Sequence, residues 1–465
     1  MKSLKELYRI GKGPSSSHTM GPQRAAKLFL ERCPNASYYE VTLYGSLAAT
    51  GKGHMTDVAI EEVLRPHKTV NIIWQPQTFL PYHPNGMKFV GKDLNGDVID
   101  EWTVYSIGGG AISDGTAGNE ERLVDIIYEK RRLGKGPVVA VVGGGHGLSV
   151  LLRGIKSATS NVTAVVTVAD DGGSSGRLRE ELGIIPPGDL RNCLVALADT
   201  EPLMEKLFQY RFRGESELAG HSFGNLFIAA MNEVTGDVET ALKESSKVLA
   251  VKGQVLPASK DHVRLDAVME DGTVVEGESN IPEVHKRIHR VRLFPEHVRP
   301  VQSALDALTS ADAIILGPGS LYTSIMPNLL VDGVAEALRK SKAVKIYICN
   351  VMTQPGETDG YTASMHAKAI LDHGGKGVID YMLVNSTAIS SDMQEYYAEK
   401  GAYPVEVDEE AINALGIGFV KADIINETDV IRHDPDKLCR NVMKMVYRLQ
   451  PSAMRSFESK SRLMD

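Results

Sequence analysis

Two continuous runs of mostly β-branched residues, 138–142 and 162–168, bracket a stretch with a different rhythm. Neither run alternates and both are too short for helices, so each reads as a strand buried on both faces; that implies a parallel sheet with helices on either side. Between them Leu148, Leu151, Leu152 and Ile155 recur at helical spacing, giving a strand, a glycine turn, a helix and a second strand. Apolar runs return at 311–316 and 345–349, and 193–208 and 223–233 read as helices. Residues 261–293 alternate and carry Lys286, Arg287, His289, Arg290 and Arg292, which predicts a strand-rich excursion with a solvated basic edge. The expected fold class is α/β, a doubly wound and mostly parallel sheet over 137–448, preceded by a smaller α+β domain over 1–115. In that first part polar glycine loops separate short strands such as 70–74 and 101–107. Loop composition at 114–119 and a helical pattern over 120–133, with Gly134 as its stop, place a helical linker at 116–136, and 449–465 reads as a polar tail.

Chemistry gathers where the buried runs end. Gly143, Gly144, Gly145 and Gly147 stand at a strand-to-helix junction. A chain without Cβ atoms lets backbone N–H groups approach an anion at the positive end of the helix dipole, so a nucleotide diphosphate is the natural guest. A tight turn is the plain alternative, and Leu148 stands where a dinucleotide fingerprint has glycine, so nicotinamide binding is not implied. After the second run comes Asp170, Asp171, Gly172, Gly173, Ser174, Ser175 and Gly176, on the rim where open α/β sheets bind ligands. Two adjacent carboxylates there suit a ribose hydroxyl or Mg²⁺, and the Gly/Ser run supplies further donors. Gly317, Gly319 and Ser320 follow the run 311–316, and Asn350 follows 345–349, so these loops are expected to converge on one sheet edge.

Composition narrows the class. The chain has 465 residues, 43% apolar and 24% charged, enough for two or three globular domains. A formal net charge of −8 argues against a general nucleic-acid or acidic-membrane surface. The first eleven residues do not read as a signal peptide and no apolar run approaches the roughly 18 residues of a membrane span, so a cytoplasmic location is expected. Cys33, Cys193, Cys349 and Cys439 are far apart and predict isolated buried thiols rather than a zinc or iron–sulfur site.

The motifs G-G-G-H-G-L-S-V-L-L-R-G, V-T-V-A-D-D-G-G-S-S-G-R-L-R-E-E-L, P-P-G-D-L-R-N, G-H-S-F-G-N-L, G-P-G-S-L-Y-T-S-I-M-P-N and C-N-V-M-T-Q-P-G-E-T-D-G-Y-T-A form one colinear series over about 137–447. This series resembles the bacterial gluconeogenesis-factor family, the CofD-like group related to 2-phospho-L-lactate transferase; His146 departs from it, since the family usually has Thr there. The resemblance implies a Rossmann-like domain that binds UDP-N-acetylglucosamine and regulates envelope-precursor supply and cell shape during gluconeogenic growth, with a regulated enzyme of precursor synthesis as partner. It adds Asn192 and Asn225 to the site, and Tyr397 and Arg432 as its uridine end; by pattern alone Tyr397 reads as helix packing and Arg432 as a surface charge. The enzymatic alternative is a transferase of the 2-phospho-L-lactate type, with Asp170, Asp171 and Asp189 holding Mg²⁺. No cofactor is required by the regulator reading, and a homo-oligomer is expected.

Over about 2–112, G-P-S-S-S-H-T, G-K-G-H and H-P-N resemble the β domain of iron–sulfur L-serine dehydratase. The resemblance gives His18, His54 and His83 to the substrate site; singly, each reads as an ordinary loop histidine. The family's cluster-binding α domain has no counterpart here, so serine deamination would need a separate α chain, and a serine-binding sensor is the alternative.

Overall fold

The computed structural model describes residues 18–66, 68–108, 111–114, 132–199, 202–427 and 430–450. The chain divides into two compact units, Met1–Leu123 and Val124–Asp465. The first holds a mixed sheet of β1 (Tyr38–Tyr44), β2 (Thr69–Gln75), β3 (Gly86–Lys92), β4 (Val98–Gly108) and β5 (Ala111–Ser113) in the order β2-β1-β3-β4-β5. Only β1 and β2 run parallel, and the other pairs are antiparallel. Helices Met20–Arg32 and Thr56–Leu64 bury Ala25, Ala26, Phe29, Ile60 and Leu64 in a core shared with Tyr39, Leu43 and Phe89.

The second unit is built on a seven-stranded, wholly parallel sheet. Its strands are β6 (Val139–Gly143), β7 (Val162–Val166), β8 (Gln254–Pro257), β12 (Ala313–Leu316), β13 (Val344–Ile348), β14 (Tyr381–Asn385) and β15 (Gly418–Ala422), ordered β15-β14-β13-β12-β6-β7-β8. Strands β6, β12 and β13 are buried at every position, as the unalternating apolar runs require. The excursion after β8 forms a separate antiparallel sheet of β9 (Arg264–Met269), β10 (Val274–Glu276) and β11 (Ile288–Phe294). A short hairpin, β16 (Ile425–Glu427) and β17 (Ile431–His433), precedes the closing helix Pro435–Leu449. That helix packs Leu438, Val442 and Val446 into the same core.

The strand order contains the fact that positions the site. From β6 the chain runs outward through β7 to β8, then returns to lay β12 on the other flank of β6 and runs outward the opposite way. The crevice between the carboxyl ends of β6 and β12 is therefore the topological switch point, where loops leave in opposite directions and room for a ligand opens. In register, Val139 lies opposite Ala313 and Val142 opposite Leu316, so the loops beginning at Gly143 and Gly317 emerge side by side.

Two expected boundaries shift. Residues 193–208 are two helices, Gly188–Leu197 and Pro202–Gln209, and the first begins within P-P-G-D-L-R-N because Pro187 ends the preceding loop and Asp189 favours the first turn. The polar run after β7 is a turn only as far as Gly172; Gly173, Ser174 and Ser175 open helix Gly173–Leu182. All four cysteines are free and buried. Most of the predicted linker helix and nearly all of the tail lie outside the described residues, among which no helix is long and apolar enough to cross a membrane.

Ile315 is fully buried at the centre of the sheet. Its replacement by Ala leaves a cavity that β6 and β13 cannot close, and is expected to cost about 2–5 kcal/mol. Urea unfolding followed by circular dichroism checks this: the midpoint should fall while the slope stays the same.

Candidate nucleotide-binding site

The glycine loop is a steric necessity. A Cβ on Gly147 would stand 2.6 Å from the carbonyl oxygen of Pro318, and one on Gly144 would stand 2.6 Å from the Thr167 methyl and 2.5 Å from Asp189 Oδ2. The loops after β6 and β12 thus approach each other through backbone, a closeness that only glycine permits. Helix Gly145–Ile155 starts at this point, with Gly144 as its extended N-cap and His146 in its first turn. Across the crevice, Asn328 donates to Gly143 O at 3.2 Å and Ser324 O at 2.8 Å, which pins the β6 end to the π-helical turn Leu321–Ile325. Ser320 caps that turn, accepting from Thr323 N at 3.2 Å, and donates its own hydrogen to the Glu357 carboxylate.

Positive charge collects around His146. Burial lowers its pKa, and Arg191, Arg153, Arg432 and Arg211 lower it further, so the imidazole is neutral among four guanidinium groups. Arg191 is buried: Nη1 donates to Ser222 Oγ at 2.5 Å and Asn225 Oδ1 at 3.0 Å, and Nη2 to Asn192 Oδ1 at 2.8 Å. Its Nε is buried with no partner, and burial followed by Arg211 brings its pKa down to about 10.

Several residues expected to face a ligand are committed to the interior. Ser174 Oγ accepts from the Asn225 amide at 3.1 Å and turns its hydrogen to Nδ1 of His221 at 3.0 Å. Ser175 Oγ accepts from Gly188 N at 3.1 Å, stapling two helix starts together. Ser222 caps helix Phe223–Thr235 through Asn225 N. The network Arg191, Asn192, Ser222, Asn225, Ser174 and His221 therefore orients the guanidinium.

Carboxylates form the opposite wall. Asp170 Oδ1 accepts from Gly172 N at 3.0 Å, while Asp171 receives Glu278 N and Ser279 N, each at 2.9 Å, and so caps the short turn that follows β10. Both oxygens of Asp171, one of the two carboxylates expected to hold Mg²⁺, thus accept backbone hydrogen bonds. Among the described residues no three His, Cys, Asp or Glu side chains are arranged to hold a metal ion. Asp189 is pushed up to about 7 by burial and then by Asp170, and Glu278 to about 8 by burial and then by Asp170, Asp189, Asp171 and Glu357. Sequence reasoning passed over Glu278, Arg153, Arg191 and Arg211 as site residues; Arg153 and Arg191 lay within the shared motifs, whereas Glu278 and Arg211 lay in none of them.

Further along the rim, a cavity of about 350 Å³ lies at the carboxyl ends of β13 and β14, with Asn350, Val351, Asn385, Ser386, Gln394 and Val405 among its walls. Helix Ser391–Ala398 carries both Gln394 and Tyr397. Arg432 stands exposed on β17, near enough to His146 to depress its pKa. The structure thus brings together the loops of Gly143 to Gly147, Gly317 to Ser320 and Asp170 with Arg432.

In the first unit His18 and His54 meet, ring centroids 4.8 Å apart. Thr50 donates to Ser46 O at 2.9 Å, so His18 Nε2, 3.0 Å from Thr50 Oγ1, is the donor in that contact. Burial and then His54 lower the His18 pKa, and His54 Nδ1 is buried without a partner. Met55 beside it has φ of 62°, a left-handed backbone that a side-chain-bearing residue adopts at a cost. His83 accepts from Asn85 N at 3.1 Å in the loop whose Pro84 carbonyl receives Ser46 N at 3.0 Å. The serines of the first motif lie outside the described residues.

A seven-stranded, wholly parallel sheet whose switch point carries a glycine-opened helix start defines a Rossmann-like α/β protein. Residues 139–425 match the family model described as 2-phospho-L-lactate transferase CofD, and the chain belongs to that family. Residues 3–67 and 61–117 match the serine dehydratase beta chain. The gluconeogenesis factor of Bacillus subtilis is 55% identical over 307 residues, 66% of this chain and 97% of that one. That of Halalkalibacterium halodurans is 54% identical over 307 residues, 66% of this chain and 95% of that one. A crystal structure of a UPF0052-family protein from Bacillus halodurans superposes with a TM-score of 0.64 at 54% identity, covering 66% of this chain and 99% of that one.

Asp189 and Glu278 keep protons in the folded chain that ordinary carboxylates release near pH 4. Raised folded-state values mean that the native state binds more protons than the unfolded state above that pH, so stability is lost as pH rises through about 7 and 8. The melting temperature of the unliganded protein is expected to fall between about pH 6 and about pH 8.5, and Glu278→Gln to flatten that slope.

Proposed function

We propose that residues 137–448 bind UDP-N-acetylglucosamine and act as a regulator that adjusts envelope-precursor supply, and with it cell shape, during growth on gluconeogenic carbon. The observation that carries this reading is that four arginines lie near enough to His146, in the first turn of the glycine-opened helix, to lower its pKa, one of them, Arg191, with an unanswered buried N–H. A diphosphate supplies both the charge and the acceptors that this arrangement lacks. Successive strands lie about 4.8 Å apart, so the cavity beyond β13 is some 10–14 Å from the glycine loop, a distance that a nucleotide sugar spans from its diphosphate. Its amide and hydroxyl walls suit an uncharged, polar moiety. The names of the gluconeogenesis factors support the physiological part of the reading.

A transferase reading draws on the proton-holding carboxylates Asp189 and Glu278, which could serve as acid or base beside a phosphoryl group. In the first unit the His18–His54 pair supports binding of L-serine, either as a sensor or with a separate α chain.

Calorimetric titration with UDP-N-acetylglucosamine, GDP and L-serine in separate runs tests these readings. Saturable UDP-sugar binding, weakened about ten- to a hundredfold by Arg432→Ala, is expected. GDP binding with no UDP-sugar signal would replace the regulator by the transferase. Recovery of the sugar nucleotide unchanged after prolonged incubation is expected of a regulator, and its turnover would show an enzyme.

A further inference from the structure

Strand β17 is three residues long and, among the described residues, pairs only with the three residues of β16. A ladder of that size is marginal without support. Arg432 sits at its centre, and both neighbours are tied to other elements. The Ile431 N–H donates to Tyr397 Oη at 3.0 Å from helix Ser391–Ala398. The His433 ring hydrogen-bonds the Cys349 backbone just beyond β13, and because His433 Nε2 is buried without a partner, the bond runs through Nδ1. Burial holds His433 neutral, with its pKa down at about 4.

We infer that Tyr397 and His433 are positioning residues, a two-point clamp that holds β17 so that Arg432 faces the glycine loop, and that the Tyr397 hydroxyl rather than its ring face makes the contribution. The inference rests on the reading of the crevice as a UDP-sugar site. An aromatic placed to stack on a base needs only its face, whereas one placed for its hydroxyl needs the oxygen. Tyr397→Phe separates the two cases, since it keeps the ring and deprives the Ile431 N–H of its acceptor.

The test titrates UDP-N-acetylglucosamine into the full chain, Tyr397→Phe, Arg432→Ala and the double variant. Tyr397→Phe should weaken binding at least about fivefold, and the double variant should bind no more weakly than Arg432→Ala alone. Unchanged affinity in Tyr397→Phe, or fully additive losses, would overturn the inference. His433→Asn, whose amide can still reach the Cys349 carbonyl, should retain more affinity than His433→Leu, and equal losses would remove His433 from the clamp. A ligand-free readout keeps the two readings apart. The His146 pKa, followed by side-chain NMR, is lowered first by burial and then by Arg191, Arg153, Arg432 and Arg211, so Arg432→Ala should raise its midpoint, and Tyr397→Phe should raise it too. If the intact chain binds no UDP-sugar while both variants shift His146, the ligand reading falls and the clamp stands. If Tyr397→Phe leaves the midpoint at its original value, the clamp falls.

Discussion

The architecture of the second unit depends on the backbone-to-backbone approach of the loops leaving β6 and β12. Gly147 lies against the Pro318 carbonyl so closely that no side chain fits between them, and Gly144 is confined by Thr167 and Asp189. This contact exists because the two strands are neighbours although β7, β8 and the excursion lie between them in the chain, and the register of β6 with β12 fixes where the loops meet. Everything chemical in the crevice is arranged around that narrow seam. The helix start at Gly145, the Asn328 bridge and the Asp189 carboxylate each touch one of its two sides.

Charge in the crevice is divided rather than pooled. Guanidinium groups surround His146 while Asp170, Asp189 and Glu278 press on one another. Each group raises the free energy of its own unliganded state, the cations because a buried N–H is unanswered and the acids because protons must be retained. Under the proposed reading, a ligand with a diphosphate and hydroxyl groups would relieve both, the phosphates accepting from arginine and the hydroxyls donating to carboxylates. Ser174, Asn225 and His221 contribute indirectly, by fixing the guanidinium of Arg191 so that little ordering remains for the ligand to impose.

The sheet was legible in the sequence because strands buried on both faces leave uninterrupted apolar runs, and β6, β7, β12 and β13 were each visible in that way. The loops were legible because glycine is the only residue that tolerates such closeness. What could not be read was direction. Whether Ser174 faces a ligand or His221 depends on which helix start packs beside it, and Gly188 opens a helix that the apolar pattern places only from 193. Arg153, Arg191 and Arg211 converge from separate elements, and local spacing carries no record of that. Asp171 looked like a cation ligand for the same reason, because the segment that occupies its oxygens begins at Glu278, far along the chain.

That last contact has a bearing on protein engineering. The three-stranded excursion looks dispensable, since it stands apart from the main sheet as its own antiparallel layer. Yet the turn that follows β10 supplies the two N–H groups that fix Asp171, and Glu278 from the same turn stands among the crevice carboxylates. Deleting β9 to β11 would release the loop after β7 and remove one wall of the crevice. A minimal binding fragment, or a chimera built to change ligand preference, must therefore carry the excursion with it as a unit.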